Sequence, residues 1–298
     1  MSVVPLEGPL QAYAFQGMTF RAYVPALFAA RAEGSAFRAF GAFDETDEPE
    51  GLLLVRLDAP RAELMSIFTR ADRRRRGVAR ALLAAAEKSL AAAGVSRLEA
   101  SLERGRPLRD AAEKLLAGAG YGPFERTSLM VRFRGSEKVR QAPWLRRLEV
   151  PAAFEVFPWA ELRREERDAI VARQERELWI PEDLFPFRGE EWLEPGNSLG
   201  LRYRGEVVAW QVNHRPLPDV LRYTYTFARA DLQRYGLAVA LLAESVRRHL
   251  DGPLALAAPN ATFKVPARFE GMRRFAEKHW RGFADELNEI VKGSKRLA

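Results

Sequence analysis

The sequence contains no cysteine, and that absence excludes disulfides, thiolate-held metals and a cysteine nucleophile. Histidine is scarce. The three residues His214, His249 and His279 are too few and too scattered in sequence for a metal site. No run of about 18 apolar residues occurs, so no membrane-spanning helix is expected. The opening Met1-Ser2-Val3-Val4-Pro5 lacks the basic start and apolar core of a signal peptide, and the expected compartment is the cytoplasm.

What is present is ample. The chain has 298 residues, 47% of them hydrophobic, enough for a large core and for about two domains by length. Its net charge is +7, which invites a nucleic-acid reading. Much of the positive charge alternates with acids, however, as in Arg163-Arg164-Glu165-Glu166-Arg167-Asp168, the pattern of a solvated helix face. The compact cluster Arg73, Arg74, Arg75 and Arg76 fits one anionic cofactor with several phosphates better than it fits a nucleic acid.

That cluster lies in the stretch around which the chain is organised, residues 63–83. The apolar run Leu64, Met65, Ile67 and Phe68 reads as a strand, and the spacing Val78, Ala81, Leu82, Ala85 as a helix. Gly77 stands at the helix entry, where a missing side chain permits close approach to the backbone. The first N–H groups of a helix lack internal partners and carry the positive end of its dipole, so a strand feeding such an entry beside arginines is a pyrophosphate cradle.

The chain repeats this stretch. Phe68, Arg70, Ala71, Asp72, Gly77, Ala79, Ala81, Leu82, Leu83 and Ala84 match Phe227, Arg229, Ala230, Asp231, Gly236, Ala238, Ala240, Leu241, Leu242 and Ala243 at one gapless offset of 159 residues (68 to 227, 77 to 236). The chain is therefore read as two copies of one domain: 1–138, a polar linker 139–150 within the periodicity-poor stretch 134–150, and 151–298.

Strands are expected at 10–15, 37–43, 52–57, 62–69, 98–102 and 127–133, with helices near 23–31, 78–93 and 109–117. In the second copy, strands are expected at 154–157, 199–203, 207–213, 221–228 and 254–257, and helices at 159–178 and from 236 to about 252. Residues 268–298 read as mainly helical, without closing strands. The aromatic, proline-broken segment 179–187 reads either as a loop over a pocket or as plain packing.

Arg74-x-x-Gly77-x-Ala79 and Gln233-x-x-Gly236-x-Ala238 both resemble the Q/R-x-x-G-x-G/A acyl-CoA signature of the GCN5-related N-acetyltransferase (GNAT) superfamily. The resemblance covers about the whole chain and implies an α/β fold, an α+β mixed sheet in two tandem GNAT-like domains. It implies an acetyl-CoA-dependent N-acetyltransferase, with one domain active and the other structural. The donor's phosphates would be held by Arg75, Arg76, Gly77, Val78 and Ala79, with Arg80 alongside, and by Arg234, Tyr235, Gly236, Leu237 and Ala238. By the family pattern the acetyl oxygen is held by amides five residues before the signature, at Thr69, after Phe68, and at Ala228. With no cysteine, the acyl group would pass directly from thioester to acceptor.

An amine of ordinary pKa near 10.4 is protonated at neutral pH, so a base has to take its proton. Glu63 lies eleven residues before Arg74, the offset of the strand glutamate that is the general base in the histone-acetyltransferase branch; an exposed strand-edge glutamate is the alternative reading. Arg222 holds the equivalent place in the second copy and cannot act as a base. Many superfamily members protonate the thiolate with a tyrosine before a Gly-aromatic pair. Here Leu116 precedes Gly120-Tyr121 and Lys278 precedes Gly282-Phe283, which leaves Tyr121 or water as the acid. Glu63 favours the first copy as the catalytic one, while Tyr223, Tyr225 and Asn260 keep the second in contention. The expected partner is a small-molecule or peptide amine, with neither membrane nor nucleic acid, and the protein is expected to be a monomer or homodimer. A CoA-binding protein without turnover is the alternative.

Overall fold

The computed structural model describes residues 1–30, 34–105, 107–135 and 137–297, and the chain divides into two compact units. Unit 1 comprises Met1–Thr127 together with Glu289–Ala298, and unit 2 comprises Ser128–Asn288.

In unit 1, β1 (Ser2–Pro5) leads into α1 (Pro9–Phe15) and α2 (Val24–Ala29). The meander β2 (Phe37–Phe43), β3 (Pro49–Asp58) and β4 (Arg61–Thr69) follows, then α3 (Val78–Ala92), β5 (Arg97–Glu103) and α4 (Pro107–Gly118). In unit 2, β6 (Glu125–Arg134), which begins at the end of unit 1, is followed by α5 (Glu137–Arg140), α6 (Pro143–Arg147), β7 (Glu155–Pro158) and α7 (Arg164–Glu177). Then come β8 (Leu199–Tyr203), β9 (Glu206–Leu217), β10 (Val220–Ala228), α8 (Leu237–Asp251), α9 (Leu254–Ala257), β11 (Asn260–Pro266) and α10 (Glu270–His279). The last strand, β12 (Glu286–Arg296), lies for most of its length in unit 1.

The two sheets share one plan. In unit 1 the order is β1-β2-β3-β4-β5-β12, antiparallel throughout except for the parallel pair β4–β5. In unit 2 it is β7-β8-β9-β10-β11-β6, again with one parallel pair, β10–β11. Helix α3 lays Val78, Leu82, Leu83, Ala86 and Leu90 on one face of the first sheet, each larger side chain contributing about 1.5–3 kcal/mol by burial. The opposite face is covered by α1 and α2 through Ala12, Phe15, Ala26 and Leu27. At Gly51 a β-carbon would sit 2.7 Å from the Phe68 carbonyl oxygen and 3.0 Å from Val78, so only glycine allows α3 this close to β3.

Several expectations differ from what is found. Residues 10–15 form a helix, because Pro9 suits a first turn and the Gln11 side chain accepts hydrogen bonds from the Glu7 and Gly8 N–H groups. Residues 254–257 are a helical turn, and the strand comes later, at β11. The helix expected near 23–31 is α2, and Arg31 lies outside the described residues. The stretch 139–150 places Val139, Ala142, Trp144 and Leu145 in the main core of unit 2 instead of leaving them to solvent. The C-terminal tail, read as helical, holds the strand that closes unit 1. Val291 is fully buried on β12, and residues 290–296 pair with β5. Strand β6, which lies within the first copy as read from the sequence, pairs from Ser128 to Arg134 with β11. The unit boundary is therefore not the boundary of the sequence copies. Among the described residues no helix is long and apolar enough to cross a membrane.

Candidate acyl-thioester clefts

Strands β4 and β5 pair only from Arg61↔Arg97 to Leu64↔Ala100, and beyond that point they part. Strands β10 and β11 likewise pair from Val220↔Asn260 to Tyr223↔Phe263 and then part. Tyr223 stands 159 residues after Leu64, so both gaps open at one position of the repeat. A bulge sits just past each opening, at Met65 on β4 and at Thr224 on β10, again equivalent positions. An extra residue in one strand bends it and breaks the ladder locally, which is what lets two parallel strands diverge.

The parting leaves main-chain groups without a ladder partner. The Arg70 N–H donates to the Glu50 carbonyl at 2.9 Å, and Arg229 N–H to Val208 at 2.9 Å. Successive N–H groups point to opposite sides of a strand, so those of Thr69 and Ile67, and of Ala228 and Thr226, point into the gaps. The Thr69 hydroxyl is also buried without a hydrogen-bond partner. Main-chain groups turned toward such a gap are placed to meet a ligand, and each gap has two of them on alternate residues.

At the wide end of each gap the strand passes into the signature turn. Gly77 (φ 87°) and Gly236 (φ 67°) are left-handed and form the N-caps of α3 and α8 without a side-chain cap. A β-carbon at either glycine would meet nothing within 4 Å, so the space in front of both helix ends is open. The turns share their internal bonds. Arg74 Nε donates to the Thr69 carbonyl at 3.4 Å, and Gln233 Nε2 to the Ala228 carbonyl at 3.2 Å. Arg70 grips Asp72 with two hydrogen bonds, and Arg229 grips Asp231 in the same way. The hydrogen bonds from these guanidinium groups hold both carboxyl pKa values below the usual carboxylate range.

Not every arginine of the basic cluster faces outward. Arg73 pairs with Asp44 at 2.9 Å and with Glu50 at 3.4 Å. Arg75, Arg76 and Arg80 are exposed around Gly77, with Val78 buried and Ala79 half-buried beneath them. In the second turn Arg234 donates to the Tyr235 hydroxyl at 2.9 Å, and Leu237 is buried while Ala238 is half-buried. Among the described residues no group of three acidic or histidine side chains is placed to hold a metal ion.

Glu63 lies one residue before the opening, level with Glu99 of β5 and paired with Arg56 of β3 at 2.5 Å. It alternates with Ala62 and Leu64, so it faces away from α3, toward the α1–α2 side. Tyr121 is on the other face. It is buried with Leu98 and Leu83, and desolvation, followed by the Glu87 carboxylate, pushes its phenol pKa up. Lys295, over the Tyr121 ring, pairs with Leu98 at the start of β5. The Gly122 N–H donates to the Ser294 carbonyl, and Ser294 pairs with Glu99, so Tyr121 stands near the level of Glu63 but on the opposite face of the sheet. The structure does not bring Tyr121 together with Glu63.

In unit 2 the gap opens into a cavity of about 380 Å³. Tyr223, Thr224, Thr226 and Ala228 of β10 line it, with Gln233, Gly236 and Ala238 of the turn. Pro181 and Leu184 close it on the side away from α8. The aromatic segment thus does both things expected of it, since Trp179, Phe185 and Phe187 pack on Trp159 and Trp210 while Leu184 reaches the cavity. Thr226 Oγ1 donates to Gln211 at 2.6 Å, and Gln211 donates to Asn213 at 2.7 Å, a buried chain that leads to Ser245. Tyr223 bonds His249 Nδ1 at 3.0 Å, and His249 Nε2 reaches the Ala258 carbonyl at 2.8 Å.

Ile67, Thr224 and Thr226 stand at the clefts and were missed by the sequence reading, as was His214, which lies behind Thr224. The 159-residue offset could have located Thr226 opposite Ile67. The bulges leave no trace in it, because both copies carry one.

Comparison with known proteins extends this geometry. Residues 10–121 match the Acetyltransferase (GNAT) family. No curated protein matches the sequence. Among solved structures, the chain is similar to a tandem GNAT protein from the clavulanic acid biosynthesis pathway, with TM-score 0.64 and 14% identity over 100% of this chain and 98% of that one. A GCN5-related N-acetyltransferase from Sphaerobacter thermophilus gives TM-score 0.64 and 12% identity over 99% and 96%. One from Kribbella flavida gives 0.52 and 17% over 83% and 87%. At these identities the likeness is one of fold.

Proposed function

We propose that this chain, whose residues 10–121 match the GNAT family and whose fold is that of tandem GNAT proteins, is an N-acyltransferase that transfers an acetyl group from acetyl-CoA directly to an amine, in unit 1 with Glu63 as the base. The observation that supports it best is the parting of β4 from β5 beside a bulge, leading to an open left-handed glycine at a helix start. A pantetheine arm carries amides that pair with such freed strand groups, and a pyrophosphate suits the N–H groups from Gly77 to Ala79.

Bound acetyl-CoA supplies an electrophilic thioester carbonyl. The Ile67 and Thr69 amides face the gap, and each main-chain donor to a developing oxyanion is typically worth about 2.7–4 kcal/mol. Arg75, Arg76 and Arg80 surround the phosphate site with positive charge. Arg56 pairs with the Glu63 carboxylate, which in this reading accepts the amine proton. Tyr121 is too deeply packed to deliver that proton to the thiolate, which leaves water or Glu63 itself. Unit 2 keeps the cleft but has Arg222 in place of the glutamate.

Calorimetry on chains carrying Gly236→Glu, which blocks the second turn, tests this reading. One acetyl-CoA site and thiol release with a panel of amines are expected to remain. Binding without thiol release rejects the assignment to unit 1, and an intact chain that binds acetyl-CoA more weakly than about 1 mM rejects the whole reading. A thioester-binding protein without turnover is the second reading, favoured by the 2.5 Å contact that already occupies Glu63, and the thiol-release assay separates the two.

A further inference from the structure

The position that distinguishes the two copies has a neighbour. In unit 1 the register partner of Glu63 on β3 is Arg56; in unit 2 the register partner of Arg222 on β9 is His214. The pair has exchanged chemistry across the strands, with the cation now on the central strand and a proton acceptor beside it. His214 is 4% exposed, and its Nδ1 lies 2.8 Å from the hydroxyl of Thr224, the bulged residue that lines the cavity. The Thr224 hydroxyl has two candidate acceptors, His214 Nδ1 and the Arg222 carbonyl at 3.2 Å, of which the histidine is the closer. The other ring nitrogen, Nε2, is buried without a hydrogen bond, although the Arg188 carbonyl lies near enough to favour its protonation.

We propose that unit 2 is a second acyl-transfer site, in which His214 accepts the proton of an amine through the Thr224 hydroxyl. The proposal rests on the reading of both clefts as acyl-thioester sites. The amine nitrogen forms its bond to the thioester carbonyl carbon as an N–H proton passes to Thr224 Oγ1 and the Thr224 proton passes to His214 Nδ1. The carbon–sulfur bond then breaks, and the thiolate takes a proton back along the same path, leaving amide, thiol and neutral His214. His214 is a positioning residue, since only Thr224 touches the cavity. Its surroundings suit the role. Burial, followed by the Arg222 charge, lowers its pKa from the ordinary 6.5, while Glu191 and the Arg188 carbonyl pull upward, and the Tyr225 ring packs edge-on at 5.4 Å. Burial thus favours the neutral imidazole, the form able to accept.

The test uses the full chain with its first turn blocked by Gly77→Glu or, at a position without positive φ, by Ala79→Glu. Acetyl-CoA and a panel of amines are the probe. Thiol release is expected to persist in both blocked chains. His214→Ala and Thr224→Val should each lower kcat by about 10²–10⁴-fold, Thr224→Ser should restore it, and acetyl-CoA binding should be retained. The acid limb of the kcat profile should disappear with His214. Because there are only three histidines, each ring can be followed by nitrogen-15 NMR. Acetyl-CoA should move the His214 titration in the blocked chain and should not move it after Thr224→Val. The proposal is overturned if the blocked chains bind acetyl-CoA but release no thiol, or if His214→Ala keeps both rate and acid limb. Failure of the intact chain to bind acetyl-CoA is a different result, which removes the reading of both clefts together.

Discussion

Glu63 and Arg222 hold one position in two copies of one strand, and the chemistry proposed for each cleft turns on that difference. Glu63→Gln keeps the size and hydrogen bonding of the side chain and removes its basicity. In a chain blocked at Gly236, the change is expected to lower kcat by about 10²–10³-fold with little effect on acetyl-CoA affinity; an unchanged rate and pH profile would return Glu63 to the role of a surface ion pair. A buried histidine makes stability sensitive to acid. His249 is fully buried, and burial lowers its pKa from 6.5 while the Ala258 and Leu254 carbonyls pull the other way. The unfolded chain therefore binds a proton that the folded chain refuses. Stability is full above pH 6.5 and is lost as pH falls toward the folded value, by up to about 1.4 kcal/mol per pH unit for each such group. Urea midpoints measured downward from pH 7.5 should show this decline, and His249→Phe should flatten it.

At the scale of elements, the bulge on the central strand is the device that makes each cleft. It bends β4 and β10 just where the parallel ladder ends, and it sets the direction of the next amides. The helix that follows is held close by small residues. Gly51→Ala would drive a β-carbon into the Phe68 carbonyl and the Val78 side chain at the root of α3. A loss of about 1–3 kcal/mol is expected in chemical denaturation, together with weaker acetyl-CoA binding at the first turn, because the helix end has to shift. Gly77 has open space around it, so alanine there acts only through its left-handed backbone.

For the whole molecule, the main consequence is that unit 1 is closed by the end of the chain. Deleting residues 289–297 removes the antiparallel partner of β5 and the fully buried Val291. Hydrogen exchange on the shortened chain should show protection lost along β5 and β4 and kept along β9 and β10. Uniform loss in both units would mean that they unfold as one.

The sequence by itself determined the duplication, the two signature turns and the central strands, because each depends on local spacing: a period of two, a period near 3.6, a glycine at a helix entry, one constant offset. Tertiary structure decided the rest. The tail 286–296 is too charged to announce a strand, and it becomes one because β5 offers it a row of unpaired main-chain groups. The segment 139–150 looked like a linker because four buried side chains spread among arginines give no period. Tyr121 stood at a plausible distance in sequence from Glu63, but the sheet sets the two on opposite faces. His214 looked like an isolated histidine, and only strand register sets it beside Arg222 and Thr224. Spacing along the chain records which groups repeat. Which groups meet is fixed by pairing between strands distant in sequence, and a single sequence carries no local signal for that.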